Sequence, residues 1–194
     1  VFDPLGLISP ILINAKLILQ ELWKLKLDWD ETIPLHLHTK FKTFQNQIIN
    51  LQNITIPRQV TQISASKFEI HGFSDASQSA YGAVVYIKAY TTTSISVRLL
   101  CSKSKVAPLK SLTIPKLELC GALLLAQLVK KVRQSLNIDI SEAFYWCDST
   151  ICLAWINSDP SKFKVFVSNR IAEIQQSTSA QNWSYIQSEN NSAD

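Results

Sequence analysis

The sequence has little glycine, no methionine and no paired cysteine motif, and each shortage removes a class of function. Only four glycines occur in 194 residues, and none falls in a Walker-type loop or a GxSxG elbow, so nucleotide-phosphate and serine-hydrolase chemistry lack their backbone cradles. An aspartic peptidase presents its acid on a D-[ST]-G turn, yet Asp75-Ala76-Ser77 and Asp148-Ser149-Thr150 both lack that glycine. The four cysteines (Cys101, Cys120, Cys147, Cys152) contain no CxxC pair. Cys120 and Cys147 sit inside apolar runs, which predicts buried free thiols in a reducing compartment. No run is long and charge-free enough to span a bilayer, and no signal peptide is visible. The chain starts at Val1 and has no Met, so it is expected to be a piece of a longer polypeptide.

What is present describes a globular protein. Hydrophobic residues make up 46% and charged residues 18%, enough to build a core. A net charge of +4 leaves room for a polyanionic partner without demanding one. The N-terminal part reads as two helices. Ile11 to Leu27 has helical apolar spacing with Ser9 as N-cap and Pro10 in the first turn, and Leu35 to Leu51 carries Phe41, Phe44, Ile48 and Leu51 on one face. Such a hairpin is expected to pack on something upstream. At Pro57-Arg58 the texture changes, setting a boundary between residues 1–57 and residues 58–194.

Beyond that boundary, β-rich segments are predicted at Lys67–Phe73, Ala80–Ala89 and Ser94–Ser102, followed by a basic loop from Lys103 to Lys110. Three strands so close in sequence suit an antiparallel meander. Thr113 to Val132 then reads as a helix apolar nearly all round, with Pro115 in its first turn, which belongs inside a core. A short strand at Ala143–Cys147, helices at Thr150–Asn157 and Phe163–Gln176, and a last strand at Trp183–Gln187 complete the order βββαβααβ, a mixed sheet covered by helices.

Four acids interrupt these elements. Taken singly, each has a plain explanation: Asp75 as a turn residue, Glu118 as a partner of the helix dipole, Asp148 as an N-cap, and Asp194 as no more than the last residue. Together, three of them stand at the ends or first turns of core elements, where a rigid scaffold can aim them at one point. Crowded carboxylates repel unless cations neutralise them, and hard divalent ions want oxygen ligands. Two such ions about 4 Å apart serve phosphodiester cleavage. Lys103, Lys105 and Lys110, with Ser74, Ser77 and Ser149 beside the acids, are candidates for phosphate or sugar contacts. His36-Leu37-His38 has no neighbouring partners and is not read as a metal site.

FSDAS (Phe73–Ser77), TIPKLELCGALLLA, YWCDST (Tyr145–Thr150) and NNSAD (Asn190–Asp194) resemble the ribonuclease H domain of Bel/Pao LTR retrotransposons. FDPLGLISP, LDWDETIP (Leu27–Pro34) and ITIPR (Ile54–Arg58) are similar to the end of that group's reverse transcriptase, in the thumb and connection region. The resemblance implies an α/β fold with a five-stranded mixed sheet, its first three strands antiparallel, behind an N-terminal helical hairpin. It also implies that the domain of residues 58–194 continues past Asp194. Asp75, Glu118, Asp148 and Asp194 fall at the family's four acids, so it implies that they hold two Mg²⁺ ions, with Mn²⁺ as a substitute. The implied activity is hydrolysis of the RNA strand of an RNA–DNA hybrid, with the reverse transcriptase upstream in the same polyprotein and a cytoplasmic retrotransposon particle as location. The region also carries the label of a Pao "peptidase", which the missing glycines do not support. The acid order, with Glu118 before Asp148, separates the chain from integrases and transposases, whose glutamate comes last. The rival from another class is a decayed, inactive element that only binds nucleic acid or serves as structure.

Overall fold

The computed structural model describes residues 2–57, 59–61 and 65–194. Five strands form one mixed sheet in the order β3-β2-β1-β4-β5. The strands β1 (Lys67–Ala76), β2 (Ala80–Tyr90) and β3 (Ile95–Val106) pair antiparallel, as the short connections require. β4 (Glu142–Cys147) then joins β1 in parallel, and β5 (Trp183–Tyr185) joins β4 in parallel. Parallel neighbours need a long crossover. Helix α3 (Ile114–Ser135) supplies the first, and α4 (Thr150–Ile156) with α5 (Val165–Ser177) the second.

The face of the sheet under α3 is the core. Ile70 of β1, Val85 of β2, and Ala143, Tyr145 and Cys147 of β4 meet Leu119, Leu125, Ala126 and Val129 of the helix. α4 and α5 complete the layer with Cys152, Ile156, Ile171 and Ile174. Two glycines keep side chains out of the contact between α3 and β1. A Cβ on Gly72 would stand 2.5 Å from Leu125 Cδ1, and one on Gly121 would stand 3.1 Å from the carbonyl oxygen of Asp75. On the opposite face, His71 stacks on Phe144 at 5.1 Å and Phe73 on Trp146 at 6.3 Å, all half-buried. Glu69 lies buried in that face. Burial works against its charge, but Lys67 Nζ at 2.7 Å and the donating Tyr90 hydroxyl at 2.7 Å hold its carboxyl down to about 2.

Several expectations shift in detail. β1 runs through Asp75, which pairs with Gly82, so the acid stands inside the strand and not in the turn after it. β3 likewise extends to Val106, and Lys103 and Lys105 belong to that strand; only the segment around Lys110 is loop. The cause is β2, whose full length holds partners on both sides. At the N-terminus Ser9 is already helical and no side chain caps α1; the Asp3 carboxylate accepts from Leu7 N and Ile8 N at 2.9 Å each, in the turn before the helix.

Helices α1 (Ser9–Leu25) and α2 (Leu35–Ile48) form the expected hairpin, and α1 lies along the edge strand β3. Lys16 Nζ donates to Ser104 O at 3.0 Å, Gln20 Nε2 to Ala107 O at 2.7 Å, and Ser102 N to Leu5 O at 2.8 Å. An exposed strand edge is a liability that proteins cover, and here the hairpin covers it. The hairpin still exposes Trp23, Trp29 and Leu35, surface of the kind that partner contacts use. The boundary drawn at Pro57-Arg58 touches Arg58, which lies outside the described residues.

The hairpin is fastened where Gly6, at φ +70°, meets Ser102; a Cβ there would overlap the Ser102 carbonyl oxygen. Gly6→Ala is therefore expected to cost about 1–3 kcal/mol through strain and overlap. Hydrogen exchange reads this locally: the Ser102 amide should lose protection while amides of β1 keep theirs. Unchanged protection at Ser102 would show that the contact does not fasten the hairpin.

Candidate metal centre

The acids gather at one end of the sheet because three different elements finish or begin there. Asp75 is the penultimate residue of β1. Asp148 follows the last residue of β4, the strand parallel to β1, so both acids emerge at carboxyl ends of neighbouring strands. Glu118 comes from α3, a little more than one turn into the helix, and Gly121 three residues on lets the helix approach the Asp75 backbone. Residues three apart on a helix share a face, so the glycine that permits the approach also points Glu118 at the strand ends.

Glu118 is only 7% exposed, and its Oε2 has no hydrogen-bond partner. Asp148 Oδ1 is likewise buried and unpartnered, while its Oδ2 accepts from the Ser188 hydroxyl at 2.7 Å. A buried carboxylate oxygen without a partner costs free energy that native structures rarely leave unspent. Helix-dipole stabilisation does not account for it, since Glu118 faces other acids. Burial first, and then the neighbouring Cys147, Asp148 and Asp75, push its carboxyl up to about 8. Asp75 is half-buried and also raised, by burial first and by the charges of Asp148 and Asp194. One donor atom each from Glu118, Cys147 and Asp148 lies within 4.8 Å of the others. This donor set fits a cation: it supplies the unpartnered oxygens and the mutual repulsion that a divalent ion removes.

Asp194 joins from the far end of the chain. More than the last residue of the sequence, it is tied in through Asn191, which is 5% exposed. Asn191 Nδ2 donates to Ser74 O at 3.1 Å, its Oδ1 accepts from Ala193 N at 3.2 Å, and its carbonyl accepts from Asp194 N at 3.1 Å. This tie fastens the last residues to β1, and Asp194 lines the same cavity of about 410 Å³ as Asp75. Only the NNSAD motif pointed there, and it gave no hint of which asparagine carries the contact.

The remaining candidates divide. Lys103 lines that cavity together with Ser77, whose hydroxyl also accepts from Ala80 N at 3.2 Å and shapes the β1–β2 turn. Ser149 is the N-cap of α4, accepting from Cys152 N at 3.2 Å, so the cap expected of Asp148 is made by its neighbour. Ser74 is 1% exposed and turned toward Trp146 O, leaving it no surface for a substrate. Lys105 is exposed on β3, and Lys110 is exposed beyond that strand; neither lines the cavity. All four cysteines are free and buried, as expected. His36 and His38 join no metal-holding group among the described residues.

A family model described as Pao retrotransposon-like RNaseH-like domain matches residues 1–149. The chain belongs to that family. The Pao-type match runs through the hairpin, Asp75, Glu118 and Asp148, and the five-stranded mixed sheet with its first three strands antiparallel is ribonuclease H-like. Curated proteins offer no match. Among solved structures, the N-terminal ribonuclease H domain of a Mycobacterium tuberculosis protein aligns at 16% identity and TM-score 0.43, over 64% of this chain and 86% of that one. Ribonuclease H1 of Halobacterium salinarum aligns at 6% identity and TM-score 0.40, over 66% and 91%. LC11 ribonuclease H1, solved with an RNA/DNA hybrid, aligns at 16% identity and TM-score 0.39, over 65% and 89%.

The raised carboxyl of Glu118 fixes the sign of a pH effect in the metal-free Pao-type domain. Its ordinary value is 4.5 and its folded value about 8, so between those limits the folded state holds a proton that the unfolded state has released. Stability therefore falls as pH rises through this window and levels off above it, by on the order of a few kcal/mol. Urea unfolding across the range should show that slope, and Glu118→Gln should remove most of it, leaving the smaller share of Asp75 and the opposing one of His71, whose burial holds its imidazole below the ordinary value. A stability that rises between pH 5 and 8 in the metal-free protein would contradict the placement of Glu118.

Proposed function

We propose that this Pao-type domain is a divalent-metal ribonuclease H that hydrolyses the RNA strand of RNA–DNA hybrids. The observation that carries the reading is the pair of buried, unpartnered carboxylate oxygens, Glu118 Oε2 and Asp148 Oδ1, at the strand end that also bears Asp75. Asp75, Glu118, Asp148 and Asp194 would hold the ions, and bound Mg²⁺ would supply charge neutralisation, water activation and stabilisation of the leaving oxygen.

The chain's own residues do the rest. Glu118 stands on a helix packed against β1, β2 and α5, and Asp148 is held by Ser188 with its other oxygen buried and unpartnered. Asn191 keeps Asp194 on the Asp75 side of the cluster. Lys103 lines the same cavity as Asp75 and Asp194 and would meet a phosphate of the strand to be cut. Recognition of a hybrid through its backbone and 2′-hydroxyls needs no base-reading element. On this reading the reverse transcriptase lies upstream in the same polyprotein, the hairpin of residues 1–57 is its last part, and the work is done in a cytoplasmic retrotransposon particle.

The test is cleavage of an end-labelled RNA in a hybrid duplex by the purified chain, with Mg²⁺ or Mn²⁺ and with chelator. Cleavage should require the metal. Asp148→Asn and Glu118→Gln should each slow it by about a hundredfold or more, the cost of roughly 3 kcal/mol of lost transition-state stabilisation. Cleavage unchanged in both variants would overturn the assignment, and hybrid binding without metal-dependent turnover would favour an inactive module.

A further inference from the structure

The cluster at the strand ends contains one donor that hard-ion chemistry does not use. Cys147 is the last residue of β4, fully buried, and its side chain shares the α3 face of the sheet with Ser74 and Glu118. Strand β4 ends there, so Cys147 and Asp148 do not diverge as successive strand residues do; both present a donor to Glu118. The Ser149 amide donates to Cys147 Sγ at 3.4 Å, fixing the sulfur in the turn that leads into α4. The result is a mixed sulfur-and-oxygen triad whose donor atoms all lie within 4.8 Å of one another. The independent sign that it wants a ligand is Glu118, more than nine-tenths buried and aimed into the triad with Oε2 unpartnered.

We propose that Glu118, Cys147 and Asp148 form a site for a thiophilic divalent cation of the Zn²⁺ or Cd²⁺ class, whose binding withdraws two carboxylates from the hard-metal centre and silences it. This rests on the reading of those carboxylates as metal ligands. Mg²⁺ takes oxygen donors and keeps its waters, so it has no use for the sulfur. A soft or borderline ion gains most from it. Zinc–sulfur bonds of about 2.3 Å and zinc–oxygen bonds of about 2.0–2.2 Å bring tetrahedral donors closer than the present spread. The adjustment falls to the Glu118 side chain, which has the most rotatable bonds of the three. Three protein donors leave the fourth position for a water. On coordination the Cys147 thiol and the neutral Glu118 carboxyl each give a proton to solvent, and no other covalent bond is broken. The site makes the centre sensitive to the balance between magnesium and thiophilic ions.

The experiment is a Cd²⁺ titration of the metal-free chain without nucleic acid, read by sulfur-to-cadmium charge-transfer absorption, with Zn²⁺ as competitor. One equivalent should produce the band, and Zn²⁺ should abolish it. Cys147→Ser should remove the band, whereas Cys152→Ser and Cys101→Ser should keep it. Glu118→Gln should weaken Cd²⁺ binding by at least about tenfold. No band at stoichiometric Cd²⁺, or a band that survives in Cys147→Ser, overturns the proposal. Should Cys147→Ser fail to fold by circular dichroism, Glu118→Gln decides, and unchanged Cd²⁺ affinity there overturns it. Because nucleic acid is absent, the two readings separate. A band without Mg²⁺-dependent cleavage tells against the nuclease alone, and cleavage without a band tells against the thiophilic site alone.

Discussion

A carboxylate on an apolar helix stays in a core only when packing leaves it nowhere else to go. In this chain the packing is that of α3 on β1, where Gly72 makes room for Leu125 and Gly121 lies against the Asp75 carbonyl. The flanking Leu119, Ala122, Leu125 and Ala126 are all buried, so the helix cannot roll to release Glu118 without exposing them. Burying one leucine side chain is worth about 1.5–3 kcal/mol, and the two leucines act together with the smaller alanines. They outweigh the penalty of one acid. The apolar helix thus sets the position of the one polar group it carries.

Once Glu118 is fixed, the electrostatics of the site follow. The sheet delivers Asp75 and Asp148 at adjacent parallel strand ends, and the Asn191 tie brings Asp194 to the same side. Like charges at that density raise one another's affinity for protons or for cations. A neutral Glu118 is the metal-free answer, and a divalent ion is the other. On the proposed function, the same crowding that lowers the stability of the bare protein at high pH is what draws in the metal, so stability and affinity are two readings of one arrangement. Cys147 adds chemical selectivity to it, because sulfur and oxygen rank cations differently.

Much of this was legible in the sequence where the signal is local. The period of α3, with Pro115 in its first turn, places the central helix to within a few residues; alternation marks β1, and β-rich composition between polar breaks marks β2. The acids were found because their chain order matches a family pattern, and the family model covers three of them. What was not legible depends on partners distant in the chain. Asp75 looks like a turn residue until Gly82 pairs with it, and Lys103 and Lys105 look like loop until the length of β2 draws them into β3. Asn191 acts on Ser74 across 117 residues, a contact no spacing reveals. Cys147 read as a buried thiol, which is correct; that it faces Glu118 depends on which side of β4 meets α3. Ser74 went the other way, a polar residue beside an acid that alternation turns into the core.

Glu118 and Asp148, with Asp75 at the neighbouring strand end, are proposed to hold divalent metal. Crystals of the metal-free chain soaked in Mn²⁺, with diffraction collected at the manganese edge, test it without reference to activity. The account predicts an anomalous peak bonded to Glu118 and Asp148 oxygens on the Asp75 side, with Glu118 Oε2 no longer unpartnered. An empty cluster at saturating Mn²⁺, or a Glu118 side chain turned away from the strand ends, would contradict it.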